Sequence, residues 1–329
     1  MSPKDIVDSH YHSDDYYEVG REKIREFARA VQNFHPAHWD DAAAHALGYR
    51  GLIAPPTFAS SVASLAQRAM FREAIAGYDP SQLLHLEQEL HLHRPVVAGD
   101  RLTADLAVES LRRAETGDII VVTTVFSDHR GAPVQTAHTT LVARRGPAAD
   151  NAVRAAEALA MQNLAAPVPE PRKITRPLSS PQPKPAAPDP ATRTPLELAA
   201  GQRLPARSYR LTRGEVVNYA GVSGDNNPIH WSDDVSRRAG LDSVVAHGML
   251  TMGLAAGYLT EWLDDPSRVL EYTVRFTNLT YVDPDGPTEL ELTGRVRSVD
   301  SAAGTAVVAL TAESNGADVF GHATARIRL

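Results

Sequence analysis

The sequence contains no cysteine, so disulfide bonds and thiolate metal sites are excluded. No uninterrupted apolar run reaches the ~18 residues of a membrane span, and the first six residues lack the charged-then-apolar order of a signal peptide. A glycine-rich phosphate loop and a dinucleotide fingerprint are also missing. The net charge of −7 argues against a nucleic-acid partner. We therefore expect a cytoplasmic protein without a membrane span.

The length of 329 residues predicts two domains, because a single core rarely grows beyond ~250–300 residues. A proline-rich segment separates them: between Pro167 and Pro195, ten of 29 residues are proline. Such a segment cannot form a helix or an interior strand. We expect an extended linker over residues 149–195, within which residues 151–164 are either helical or disordered.

The parts on either side of the linker each show helical spacing first and two-residue alternation afterwards. In the first part, helices are predicted at residues 22–31, 40–47 and 54–75, and strands at 102–108, 119–126 and 134–143. In the second part, helices are predicted at residues 213–219, 232–239 and 248–262, and strands at 269–281, 290–299, 304–312 and 319–329.

One stretch in the second part concentrates groups capable of chemistry. From Tyr219 to Trp231 it reads Tyr-Ala-Gly-Val-Ser-Gly-Asp-Asn-Asn-Pro-Ile-His-Trp. Asp225 stands five residues before His230, and the glycine, asparagines and proline around them disfavour helix and strand. A carboxylate and an imidazole on one tight loop can converge on one point. That arrangement suits acid–base chemistry on a carbonyl compound.

The second part repeats the first at an offset of 192 residues without gaps. Such a repeat indicates duplication into two like-folded halves that pack as a pseudo-dimer. The matched pairs are Ala28 and Ala220, Pro36 and Pro228, His38 and His230, Trp39 and Trp231, Asp41 and Asp233, Gly48 and Gly240, and Ala54 and Ala246.

The repeat fails at two positions that matter for chemistry. Asn33 stands where the second half has Asp225, and an amide is neither a general acid nor a general base near pH 7. Pro56 stands where the second half has Gly248, and proline has no N–H to donate. The sequence therefore predicts one active site, carried by the second half.

Gly248 is predicted to open an apolar helix, where unpaired N–H groups and the helix dipole favour negative charge. An N–H there can hold a thioester carbonyl oxygen as that oxygen gains charge. His230 and Asp225 then divide two tasks, removal of the C2 proton and handling of the C3 oxygen. We favour His230 for the proton, and the residues alone leave the reverse division open. Asn227, which can hold the loop by hydrogen bonds, and Tyr219 are the predicted supporting residues.

Each of these residues also has an ordinary structural interpretation. Asp-Asn-Asn-Pro is a common turn, a lone histidine is more often structural than catalytic, and Gly248 could serve only for close packing. His85, His91 and His93 could suggest a metal site. No acidic third ligand is evident for them, so surface or packing roles are favoured. The order and spacing of the loop residues, taken together, favour catalysis.

The loop, with Ala-His-Gly-Met-Leu at residues 246–250, resembles the hydratase-2 motif of MaoC-like, R-specific enoyl hydratases and dehydratases. More closely, residues 196–329 resemble the catalytic B subunit of the actinobacterial (3R)-hydroxyacyl-ACP dehydratase of type II fatty acid synthesis, which serves mycolic acid elongation. Three stretches resemble its non-catalytic A subunit: residues 19–33, 48–58 and 95–100, the last reading Pro-Val-Val-Ala-Gly-Asp. The chain thus resembles a fusion of the two subunits.

The resemblance implies an α+β double hot-dog fold, in which each half wraps an antiparallel sheet around a long helix. It implies a non-catalytic, acyl-chain-binding domain over residues 1–148 and a catalytic domain over residues 196–329. Asp225 and His230 would form the catalytic pair, with the Gly248 amide as carbonyl donor and with no cofactor or metal. Contacts with other enzymes of type II fatty acid synthesis and a further homo-oligomer remain open.

The implied reaction is dehydration of (3R)-3-hydroxyacyl-ACP to trans-2-enoyl-ACP. Because acyl carrier protein is acidic, we expect basic residues from both halves at the mouth of the substrate tunnel. Two alternatives remain. One is an R-specific hydratase acting on CoA thioesters, and the other is a non-catalytic protein that binds acyl thioesters.

Overall fold

The computed structural model describes residue 7 and residues 9–73, 83–114, 117–143, 172–174 and 195–329. Most of the predicted linker, including the stretch 151–164, therefore lies outside the described residues. Among the helices that are described, none combines the length and the apolar composition needed to cross a bilayer.

The first half places short helices before a run of long strands, in the predicted order. Its elements are β1 (His10–His12), β2 (Tyr17–Glu18), α1 (Arg21–Ala30), α2 (Asp41–Ala46), α3 (Ala59–Glu73), β3 (Leu83–Leu92), β4 (Arg101–Ala114), β5 (Gly117–Ser127) and β6 (Pro133–Ala143). The helix predicted from residue 54 begins five residues later, because Pro55 and Pro56 are followed by a turn.

The second half follows the same plan. Its elements are β8 (Arg203–Leu211), α4 (Arg213–Ser223), α5 (Asp233–Arg238), α6 (Gly248–Leu263), β9 (Val269–Phe276), β10 (Thr288–Asp300), β11 (Thr305–Ser314), β12 (Ala317–Asp318) and β13 (Phe320–Arg328). A three-residue strand inside the predicted linker, β7 (Arg172–Ile174), pairs with β1 at the edge of the sheet. An edge position is compatible with the prolines nearby.

Thirteen strands of the described residues form one antiparallel sheet that runs through both halves. From the centre outward the first half reads β3, β6, β5, β4, β1, and the second reads β9, β13, β11, β10, β8. The two orders match strand for strand. Strands β3 and β9 join the halves, with Glu87 opposite Arg275 and Leu90 opposite Tyr272.

Helix α6 is the most deeply buried helix described, and residues of the first half pack against it. Thirteen of its sixteen residues are buried. A Cβ atom added at Gly253 would lie 2.6 Å from Val31 Cγ1, and one added at Gly257 would lie 3.2 Å from Asn33 Cβ. The Asn33 side chain also donates a hydrogen bond to Thr260 Oγ1, at 3.2 Å. Two helical glycines therefore let the halves share one core.

We predict that Gly253→Ala lowers the free energy of unfolding by ~1–3 kcal/mol, because the new methyl group overlaps the branched, buried side chain of Val31. Gly221→Ala is the matched control: this glycine lies inside α4 and its Cβ would meet nothing within 4 Å. There, the helix propensity of alanine should leave stability unchanged or raise it by up to ~1 kcal/mol. Urea denaturation compares the two, and equal effects would contradict the close packing.

Candidate active site

The loop that carries Asp225 is fixed at both ends by local hydrogen bonds. Helix α4 ends at Gly224, whose φ of +78° is a left-handed conformation that glycine adopts readily. The Asn227 N–H donates to Asp225 Oδ1 at 3.3 Å, and Asn227 Oδ1 accepts the Ile229 N–H at 3.3 Å. A single 3₁₀ turn, Pro228–His230, then carries His230 toward Asp225.

His230 is oriented by a main-chain carbonyl group. Its Nδ1 lies 2.8 Å from the oxygen of Val245. A carbonyl oxygen only accepts, so Nδ1 carries the hydrogen and Nε2 keeps a lone pair. Burial lowers the pKa of His230 below its usual value, although Asp225 and the Val245 carbonyl act in the opposite direction. The ring is therefore a neutral imidazole at pH 7, in the tautomer of a base.

His247, which the sequence indicated only as the neighbour of Gly248, stacks on His230. The ring centroids are 3.6 Å apart and the planes are tilted by 25°. His247 Nε2–H donates to the main-chain oxygen of Asp225 at 3.0 Å. Burial, with a further contribution from His230, lowers the pKa of His247 to about 3. Tyr219 flanks the stack, with its ring centroid 5.0 Å from that of His247.

Asp225 carries the negative charge of the cluster that it forms with His230 and His247. A carboxylate oxygen of Asp225 and one ring nitrogen each of His230 and His247 all lie within 4.8 Å of one another. Burial acts to raise the pKa of Asp225, but His247, His230 and the Asn227 N–H together outweigh it, so that the pKa lies below its usual value. An ionised carboxylate and a neutral imidazole therefore face each other across a few ångströms.

Asp225 and His230 line a cavity of about 660 Å³, a size typical of small-molecule sites. Gly248, the first residue of α6, borders it, and a Cβ added there would touch the Phe276 ring at 3.3 Å. The first half supplies much of the wall through α3 and three strands. Those lining residues are Ala59, Ser60, Ala63, Ser64, Gln67, Leu83, Leu84, His85, Gln88, Leu90, Phe126, Gln135, Ala137, Thr139 and Leu141.

Comparison with known proteins assigns the chain to a family. The FAS1-like dehydratase domain region matches residues 7–137, and the MaoC-like domain matches residues 196–314. The solved structure of a MaoC-like dehydratase is 41% identical to this chain, with a TM-score of 0.90 and complete coverage of both chains. The chain belongs to the MaoC-like dehydratase family. Its fold is accordingly the α+β double hot-dog that the sequence predicts.

Other relatives of this MaoC-like dehydratase cover part of it or are more distant. The UPF0336 protein Rv0635 of Mycobacterium tuberculosis is 42% identical over 142 residues, which is 43% of this chain and 90% of that protein. Rv0216 of the same organism, described as having a double hotdog fold, is 16% identical with a TM-score of 0.64; the match covers 97% of this chain and 95% of that one. The latter likeness supports the fold alone.

At the matching place in the first half, the space between the described residues is far smaller than this cavity. Ile53, Ala54 and Pro56, which match cavity residues of the second half, border a space of only about 20 Å³. His38 has the same orientation as His230, its match in the second half, with Nδ1 2.6 Å from the oxygen of Ile53. It is fully buried, however, and Asn33 packs against α6 instead of facing a cavity.

Asp225, His230 and His247 form a cluster that resembles a metal-ligand set in composition but not in geometry. A metal ion lies close to the plane of each imidazole that binds it, and two rings stacked face to face do not share such a position. The geometry of the cluster is suited to proton transfer rather than to metal binding.

The protonation states can be measured directly by NMR of protein labelled with ¹⁵N at histidine. We predict that His230 and His247 remain neutral at pH 6.5, because burial lowers the pKa of both rings. His247 should show a proton on Nε2 throughout, since that atom donates to Asp225. The exposed His129 serves as an internal control. A midpoint near 6.5 for His247 would contradict the described packing.

Proposed function

We propose that this MaoC-like dehydratase is a hydro-lyase that converts (3R)-3-hydroxyacyl thioesters to trans-2-enoyl thioesters and water, with Asp225 and His230 as its acid–base pair. The convergence of these two groups at the cavity is the observation that carries the proposal. Nothing in the steps requires a cofactor.

In the proposed reaction the unprotonated Nε2 of His230 removes the C2 proton. The amide N–H of Gly248, at the start of α6, holds the thioester oxygen as negative charge develops on it. Asp225, already ionised, accepts a hydrogen bond from the C3 hydroxyl and stabilises the imidazolium. The C3–O bond breaks, its electrons leave with the oxygen, and the proton now on His230 completes the departing water. The C2–H electrons form the new double bond.

The first half has the role of a binding wall in this proposal. Its predicted range, residues 1–148, contains the described strands β3, β5 and β6 that line the cavity. Leu83, Leu90, Phe126 and Leu141 give that wall apolar surface for an acyl chain. Residues 196–329 carry the reacting groups, and Asn227 and Tyr219 support them by fixing the loop and flanking the histidine stack.

We predict that Asp225→Asn and His230→Gln each lower kcat by at least ~100-fold, because each removes a group that transfers or directs a proton. The matched control is His38→Gln, which changes the equivalent imidazole of the first half, remote from the cavity lining. Its activity should stay within ~3-fold of wild type. The rate of hydration of a 2-enoyl thioester, monitored through the loss of its absorbance, measures the activity of all three variants. Unchanged activity in the Asp225 and His230 variants would leave the acyl-binding alternative.

The pH dependence of kcat/KM follows from the direction in which the pKa values of His230 and Asp225 are shifted. The base form of His230 is required, and its pKa lies below 6.5, so that form still dominates at pH 6.5. Asp225, also with a lowered pKa, is ionised over the same range. We predict that kcat/KM is constant between pH 6.5 and 8 and falls only at lower pH, as His230 becomes protonated. An acid limb centred above pH 6.5 would contradict the assignment.

The carrier is proposed to be acyl carrier protein, on the resemblance of the two halves to subunits of an ACP-dependent dehydratase. Purified protein assayed with C4 to C16 enoyl thioesters on both carriers tests this. We predict a higher kcat/KM for ACP thioesters than for CoA thioesters of equal length. The reverse preference would favour an R-specific enoyl-CoA hydratase, and it would leave the acid–base pair unaffected.

A further inference from the structure

The first half sends one titratable side chain into the cavity that holds Asp225 and His230. Among the described residues of that half, only His85 is both titratable and part of the cavity lining. It lies near the start of β3, the strand that pairs with β9 across the boundary between the halves. The sequence groups His85 with His91 and His93, for which it favours surface or packing roles over a metal site. The three separate in the structure, because His91 and His93 do not line the cavity.

The surroundings of His85 place it beside the reacting groups. Its ring meets the Phe276 ring edge to face, with centroids 6.5 Å apart, and Phe276 is the side chain against which Gly248 packs. His85 interacts electrostatically with Asp225 and, to a smaller extent, with His230. Phe276 thus neighbours both the proposed carbonyl donor and His85.

Among the described residues, none uses the hydrogen-bonding capacity of the His85 ring. Within the described residues no hydrogen bond to its ring nitrogens is formed, and the Phe276 contact is its one ring contact. The two histidines that follow it in the sequence are partnered: His91 pairs with Glu89, and His93 Nε2 lies 2.9 Å from Thr136 Oγ1. Burial also lowers the pKa of His85, so its ring is a neutral donor and acceptor. An unpartnered polar group facing a cavity is suited to a ligand.

We propose that His85 is a substrate-contacting residue, supplied by the half that lacks the acid–base pair, and that its ring N–H donates a hydrogen bond to the C3 oxygen of the substrate. This inference rests on the proposed function. His85 transfers no proton. It holds the oxygen as the C3–O bond breaks and negative charge grows on the leaving group, while Asp225 accepts from the same hydroxyl. The active site is then complete only when both halves are present.

The test compares His85→Phe with His85→Gln in the full chain. Phenylalanine keeps a ring but cannot donate, whereas glutamine can donate from its amide. We expect kcat/KM for a 3-hydroxyacyl thioester to fall ~10–100-fold in His85→Phe and to stay within ~5-fold of wild type in His85→Gln. His91→Phe, the same substitution on the same strand but outside the cavity lining, is the control, expected within ~2-fold of wild type.

A second measurement separates contact with the C3 oxygen from damage to the cavity. The inhibition constant of the saturated acyl thioester, which has no C3 oxygen, should be the same within ~2-fold in wild type and both His85 variants. Three outcomes would overturn the proposal. The inhibition constant could rise in His85→Phe together with the loss of kcat/KM. Alternatively, His85→Gln could lose as much kcat/KM as His85→Phe, or His85→Phe could keep the turnover of wild type. No turnover by wild-type protein would instead overturn the proposed function and this proposal with it.

Discussion

The pairing of β3 with β9 is the interaction on which the rest of the structure depends. Five consecutive residue pairs, from Glu87 opposite Arg275 to His91 opposite Glu271, join two half-sheets into one. The pairing brings the cavity-facing side chains of β3 beside Phe276 and the loop that carries Asp225. The wall from the first half covers that loop, and burial lowers the pKa of His230.

The two halves share one hydrogen bond, but the surroundings of that bond differ between them. In both, a histidine Nδ1–H donates to the carbonyl group fifteen residues later, at 2.6 Å for His38 and 2.8 Å for His230. In the first half Asn33, which matches Asp225, packs on Gly257 and donates to Thr260. A carboxylate at position 33 would be a buried charge, and the Thr260 hydroxyl, which already donates to the Gly257 oxygen, would not be available to donate to it. Asparagine is therefore explained by packing as well as by lost chemistry.

Much of this could be predicted from the sequence because it depends on local pattern. Helix α6, the turn before His230 and the repeat of 192 residues follow from periodicity, proline and glycine placement. Strand β8 was not predicted, since Arg203, Pro205 and Arg207 obscure its alternation. The place of His85 in the cavity lining could not be predicted either. It depends on which strand lies beside β9, a contact between residues nearly 190 positions apart, and no local pattern specifies such a contact.

The histidine stack explains why, in the proposed mechanism, an added proton stays on His230 and does not move to His247. His247 uses its Nε2–H for the main-chain oxygen of Asp225, and its Nδ1 is buried without a partner among the described residues. Protonating Nδ1 would create a buried cation with no acceptor, which is reflected in its pKa of about 3. The Nε2 of His230 instead faces the cavity and the Asp225 carboxylate. In the proposed mechanism a proton taken from C2 is therefore held on His230, beside the Asp225 carboxylate, and passes from there to the departing oxygen.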